Sequence, residues 1–143
     1  MKFYFVPYHI VKDKIQSIVE ENKEEFRENY GEVDVDYNHF ETLSAIGLVH
    51  VAMAVKNDVI GFAAFVVNHN ATDRGVEAEN VVFYFDKEHR GKHFKKLLEF
   101  SKKEFAKMGV HKMTATIKSE KVARALKANN FEKEYEIWGV DCE

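Results

Sequence analysis

Residues Glu79–Met108 read ENVVFYFDKEHRGKHFKKLLEFSKKEFAKM, and the side-chain pattern divides them into three pieces. Glu79–Phe85 is a β-branched and aromatic run of strand type. A short turn follows, basic around Gly91. Beyond it, Phe94, Leu97, Leu98, Ser101, Phe105 and Met108 fall on one side of a helix, with Phe100 flanking them. Gly109 stands where a helix C-terminal glycine belongs. A strand running into a helix N-terminus presents unpaired backbone N–H groups and the positive end of the helix dipole. Together these favour a phosphate group.

Upstream, Lys2–Val6 reads as a short strand closed by Pro7. A helix is expected next, with Val11, Ile15, Ile18, Val19 and Phe26 on one stripe, glutamates opposite, and Gly31 at its end. Glu32–Asn38 is acidic and irregular, and Phe40–Ile46 suits a short second helix. Val49–Val55 and Val59–Val67 form a hairpin across Lys56-Asn57-Asp58, because Asn and Asp tolerate positive φ. Asn68–Gly75 is a polar loop. Downstream, Lys112–Ile117 alternates like a strand, Ser119 caps a helix running through Ala128, and Tyr135–Val140 closes the chain as a strand. The order β-α-α-β-β-β-α-β-α-β requires at least one parallel crossover, which is right-handed. The expected fold class is α/β, a mixed central sheet with helices on both faces.

The 143 residues fit one domain, and with 45% hydrophobic and 31% charged residues the composition is that of a soluble globular protein. No apolar run approaches the roughly 18 residues a membrane span needs, and the N-terminus has no signal-peptide pattern. The single cysteine, Cys142, allows no internal disulfide, so a cytoplasmic location is the default. A net charge of −3 argues against a general nucleic-acid binder, although Arg90, Lys92, Lys95, Lys96, Lys102 and Lys103 make one local basic face. Neither a nucleic-acid nor a membrane partner is expected.

In order and spacing, three stretches carry a resemblance. They are Ala78–Phe85, then Arg90-Gly91-Lys92 with the helix ending in Met108-Gly109-Val110, then Ser119–Leu126 up to Asn130-Phe131. They resemble the GNAT family of N-acetyltransferases, whose element order the whole chain follows. The resemblance implies an acyl-CoA N-acyltransferase-like fold and acetyl-CoA as cosubstrate. The pantetheine arm would add to the sheet beside Phe83 and Phe85. The pyrophosphate would lie over the amides of Gly91, Lys92, His93, Phe94 and Lys95, with charge from Arg90, Lys92 and Lys95. Ser119 stands where the family often has an asparagine. Gly91 is the one glycine left in a loop that is usually richer in small residues, and the loop is about one residue short. The family's frequent proton-donating tyrosine falls at Leu126.

Acetyl transfer to an amine is helped by a general base. Glu79 occupies the position of a catalytic glutamate in some family members, and a solvated strand-end carboxylate is the plainer alternative. Tyr84 or Tyr135 could supply a proton, or simply fill the sheet faces. His89 and His93, four apart, could hold a metal only with a third ligand that the spacing does not provide. Glu32, Asp34, Asp36 and Glu41 could attract a cationic acceptor or be plain surface charge. The expected activity is acetyl transfer from acetyl-CoA to a primary amine on a small molecule or a protein. The alternative is a catalytically silent module of the same fold that binds CoA or a protein. Edge strands could pair two copies as a homodimer.

Overall fold

The computed structural model describes residues 1–31, 34–69, 75–117, 119–134 and 138–142. The chain runs through β1 (Lys2–Pro7), α1 (Tyr8–Glu21), α2 (Lys23–Tyr30), α3 (Tyr37–Ala45), β2 (Val49–Lys56), β3 (Asp58–His69) and β4 (Val76–Phe85). A 3-10 turn at Lys87–His89 leads to α4 (Phe94–Lys107), β5 (Lys112–Ala115) and α5 (Glu120–Lys127). The strands form one sheet in the order β1-β2-β3-β4-β5. β1 to β4 are antiparallel neighbours, and β5 joins β4 in parallel, with α4 as the crossover. The mixed sheet is therefore the expected one.

Two cores flank the sheet. On one face, Ile15, Ile18 and Val19 of α1 and Phe26 of α2 pack on Val49, Val51, Met53, Phe62 and Tyr84. On the other face, Ala52, Ala54, Ala63 and Ala78 keep the strands low, and the space is filled by Phe65 with Leu97 and Phe105 of α4. Because β2 and β3 are covered on both sides, they read as continuous apolar runs rather than alternating ones. Ser101 is fully buried on α4, where its hydroxyl donates to the Leu97 carbonyl at 2.8 Å. It is a small residue that lets α4 approach the sheet without an unpaired polar group.

Several helix ends follow from sequence signals. α4 closes with Gly109 at φ +81°, its N–H donating to Ala106 O and that of Val110 to Phe105 O, which is the Schellman arrangement. Ser119 Oγ accepts from Val122 N–H at 3.2 Å and so caps α5. α3 begins earlier than expected because Asp36 accepts from His39 N–H at 3.0 Å. The N-terminal apolar stripe reads as one helix but folds as two. At Asn22 the side chain donates to the Ile18 carbonyl at 2.9 Å, which ends α1 without moving Phe26 off the core face.

β4 begins at Val76, three residues before the expected Glu79. Of the polar loop, residues 70–74 lie outside the described residues. Of the expected closing strand Tyr135–Val140, residues 135–137 also lie outside them; residues 138–140 form no strand, and Trp138 and Val140 are exposed. Among the described residues, no helix is long and apolar enough to cross a membrane.

Candidate active site

The site is built where β4 leaves β5. The parallel ladder pairs Glu77 through Asn80 with Lys112 through Ala115 and stops there, while β4 runs on to Phe85. One edge of Val81–Phe85 therefore has no strand partner among the described residues. A β-bulge sits at the start of this stretch. Ala64 pairs with Val82 and Phe65 with Asn80, so Val81 is an extra residue. The bulge is pinned by Asn80, a buried amide whose Nδ2 donates to Ala64 O at 3.2 Å and to Val82 O at 3.0 Å. Beyond it, Phe83 and Phe85 turn their rings toward α4, and Tyr84 turns toward α1 and α2. Phe83 meets Phe94 at 4.3 Å between ring centroids, and Phe85 lies over Gly61. Phe83, Phe85 and Phe94 thus give the core their side chains and leave only backbone to a ligand.

The edge groups have partners within the chain. Tyr30, at the end of α2, accepts from Phe83 N–H at 3.0 Å and donates to Phe83 O at 3.2 Å. Arg90 Nε donates to Phe85 O at 2.8 Å, and its Nη2 pairs with the Glu25 carboxylate at 2.5 Å. Arg90 is therefore held against β4 and α2, half-buried, rather than standing over the turn.

The turn itself is open and basic. Gly91 lies at φ +77°, and a Cβ placed there would meet nothing within 4 Å. His93 is the N-cap of α4, and no side chain caps that helix among the described residues, in contrast to α3 and α5. Its first turn has no acidic residue but carries Lys95 and Lys96, both exposed, with Lys92 just before it. Cations at the positive end of a helix dipole are unfavourable, and an anion at this turn would relieve that repulsion. The His89 and His93 rings lie 6.0 Å apart, and the Nδ1 atom of each is buried with no hydrogen-bond partner. Desolvation, then repulsion from His89, Lys96, Lys92 and Lys56, holds the His93 imidazole below its usual range. Among the described residues no three His, Cys, Asp or Glu side chains are grouped to hold a metal.

Glu79 projects from the face of β4 that also carries Tyr84. Its carboxylate accepts from Thr116 Oγ1 at 3.1 Å and from Asn68 Nδ2 at 3.3 Å, which fixes it beside the diverging strands. Ser119 is engaged as the cap of α5, and Leu126 is 3% exposed. The Tyr84 hydroxyl donates to Asp86 at 3.2 Å, and burial first, then Asp86, pushes its phenol up to about 12. Tyr135 lies outside the described residues.

The acidic segment divides. Glu32 lies outside the described residues, Asp34 is exposed, Asp36 caps α3, and Glu41 pairs with Lys12 at 2.8 Å. A cavity of about 380 Å³ with Asp13, Asp36 and Glu41 in its wall lies between α1 and α3, whose main strand contacts are with β1 and β2. A larger cavity of about 1120 Å³ is bounded by α4, β5 and α5. It has Lys95, Ala115 and Thr116 in its wall, so it joins the basic turn to the end of β5. Sequence reasoning missed Tyr30, Glu25 and Asn80. Only Asn80 left a trace, as an amide inside an apolar strand run.

The profile of the Acetyltransferase (GNAT) family matches residues 15–131. No curated protein matches the chain in sequence. Among solved structures, a predicted acetyltransferase with acetyl-CoA from Clostridium acetobutylicum is similar at TM-score 0.76 and 17% identity, over 98% of this chain and 95% of that one. An aminoglycoside acetyltransferase from an uncultured soil metagenomic sample, in complex with sisomicin, gives TM-score 0.74 and 14% identity over 99% and 96%. Glucosamine-6-phosphate N-acetyltransferase from Arabidopsis thaliana gives 0.68 and 14%, over 100% of both chains. At these identities the structures speak for the fold. The family match spans most of the sequence, including the open-edged strand and the basic turn, and this chain belongs to the GNAT family of acetyltransferases.

Proposed function

We propose that this chain is a cytoplasmic, acetyl-CoA-dependent N-acetyltransferase that moves an acetyl group directly to a primary amine of a small-molecule or protein acceptor. The observation that carries the reading is the end of the β4–β5 ladder at Asn80 and Ala115, with β4 running on past it toward the uncapped, basic first turn of α4. The residues present fit the parts of the donor. Backbone N–H and C=O groups at Phe83 and Phe85 suit an amide-bearing arm added like a strand. The amides from Gly91 to Lys95, with Lys92 and Lys95 beside them, suit a pyrophosphate. The space above Gly91 leaves room for it.

When bound, acetyl-CoA supplies an activated thioester carbonyl. Once free of Tyr30, the Phe83 N–H would be a donor for that carbonyl oxygen and would stabilise charge developing on it. Glu79 would take the proton the amine must shed, relayed through water. The C–N bond forms as the C–S bond breaks. Leu126 has no proton for the leaving thiolate and the Tyr84 hydroxyl is committed to Asp86, so that proton would come from solvent or from Tyr135.

Leu126 also favours a second reading, a silent module that binds CoA or a protein without transfer. Thiol release from acetyl-CoA against a panel of primary amines separates the two readings. Release that requires an amine is the expected result, and none with any amine supports the silent module. Lys95→Glu puts a negative charge where the phosphate would sit, and is expected to weaken acetyl-CoA binding about tenfold or more, the size of a lost charge-assisted hydrogen bond. An unchanged Kd would remove the α4 turn from the site.

A further inference from the structure

The Tyr30 hydroxyl contributes to no step above, yet it meets both backbone groups of the residue that the transfer step requires. A strand residue sends its N–H and C=O to the same side, and here one oxygen satisfies both, at 3.0 Å and 3.2 Å. We infer that Tyr30 is an internal competitor for the acyl end of the slot: its hydroxyl occupies the Phe83 groups in the free protein and must leave them before the thioester can bind. This rests on the reading of the β4 edge as the acyl-cofactor slot.

Three features support it. The first is chemical. A hydroxyl that accepts from an N–H and donates to a C=O reproduces the pairing an amide-bearing ligand would make with that edge. Burial pushes the phenol of Tyr30 well above its ordinary range, so the hydroxyl keeps its proton and can donate. The second feature is the neighbouring position on the same edge. Phe85 O is occupied by Arg90 Nε, and Arg90 is tied to Glu25, so both edge positions are held by links to α2. The third is that Tyr30 can leave without dismantling the core. Phe26 anchors α2 by stacking on Tyr84 at 5.5 Å and lies near Phe62 at 6.5 Å between ring centroids, whereas Tyr30 is the last residue of the helix, followed by Gly31 at φ +85°.

The contact also has a use in the free protein. Unpaired edge groups are a template for pairing with another chain, and Tyr30 satisfies them until the slot is filled. Tyr30 therefore lowers cofactor affinity by the cost of breaking two hydrogen bonds.

The test is calorimetric titration of acetyl-CoA into the full chain and into Tyr30→Phe, with amide exchange of Phe83 followed by NMR in both ligand-free proteins. Phenylalanine keeps the ring contacts with Phe26 and Phe83 and removes only the hydroxyl. The expected result is faster exchange at Phe83 and acetyl-CoA binding tightened roughly three- to tenfold, given modest net hydrogen-bond strengths. Binding by Tyr30→Phe that is equal to or weaker than wild type overturns the competition while leaving the slot reading intact. No binding by either protein overturns the slot reading and the competition with it. A second readout needs no variant. In wild type labelled with ¹³C-tyrosine, saturating acetyl-CoA should move the Tyr30 ring resonance, and an unmoved resonance contradicts displacement.

Discussion

With Glu79→Gln, acetyl transfer is expected to slow by roughly 10²- to 10⁴-fold, the usual contribution of a positioned general base, while acetyl-CoA affinity stays as in wild type. The separation follows from where Glu79 sits. It is on β4 before the bulge, four residues upstream of Phe83, or about 13 Å along an extended strand. That is too far to touch an acyl carbonyl bound at Phe83, so Glu79 would act on the amine through water and leave the acetyl-CoA contacts alone. Its carboxylate is held by Thr116 and Asn68. Glutamine keeps one acceptor oxygen for Thr116 and cannot take a proton. Glu79 is half-buried with two side-chain hydrogen bonds, and the isosteric change should cost no more than about 1 kcal/mol of stability. The independent readout is the split between the two constants: kcat should fall in the variant while the acetyl-CoA Kd stays as in wild type. A kcat within a few-fold of wild type would make Glu79 a strand-end carboxylate and no more.

Phe105→Ala is expected to cost about 3–5 kcal/mol of folding stability, a large share of the roughly 5–15 kcal/mol a domain of this size possesses. Phe105 is 1% exposed and is the side chain through which α4 grips the sheet. Its ring meets Phe5 edge-on at 4.9 Å and Phe65 at 4.9 Å, with His50 at 6.2 Å. The alanines of β2, β3 and β4 beneath it are too small to collapse into the space left behind. Urea unfolding followed by circular dichroism measures the loss. Phe100→Ala is the internal comparison. Phe100 is only partly buried and stacks on Phe3 at 5.5 Å, so it should cost distinctly less. A loss below about 1 kcal/mol at Phe105 would mean that α4, and with it the basic turn, is not anchored as described.

What the sequence disclosed was governed by local rules. The β2–β3 hairpin was legible because Asn57 stands between two apolar runs, and it adopts φ +65°. The run from β4 through Gly91 into α4 was legible because the hydrophobic period changes from strand to helix across one short polar turn. The cap of Ser119 on Val122 was legible from residue type and position alone. Three things were not. The break at Asn22 leaves the apolar stripe unbroken, so periodicity cannot report it. The bulge at Val81 is marked only by two consecutive valines and an asparagine, which alternation alone does not decode. The partners of the site are distant in sequence. Tyr30 reaches Phe83 across 53 residues and Glu25 reaches Arg90 across 65. A basic residue beside a glycine reads as a phosphate contact until the fold brings a carboxylate to it. Arg90 is such a case, and it leaves Lys92, Lys95 and Lys96 as the exposed cations of the turn.

The most direct test of the slot is isothermal titration of the wild-type chain with acetyl-CoA at low and high salt, about 50 and 300 mM. An arm paired by backbone groups, with phosphate held by helix amides, should give saturable one-to-one binding at both, weakened by less than about tenfold at the higher salt. Binding that is absent at both concentrations, or that vanishes as salt rises in the manner of bare phosphate contacts, would contradict the assignment of the β4 edge and the α4 turn to the acyl donor.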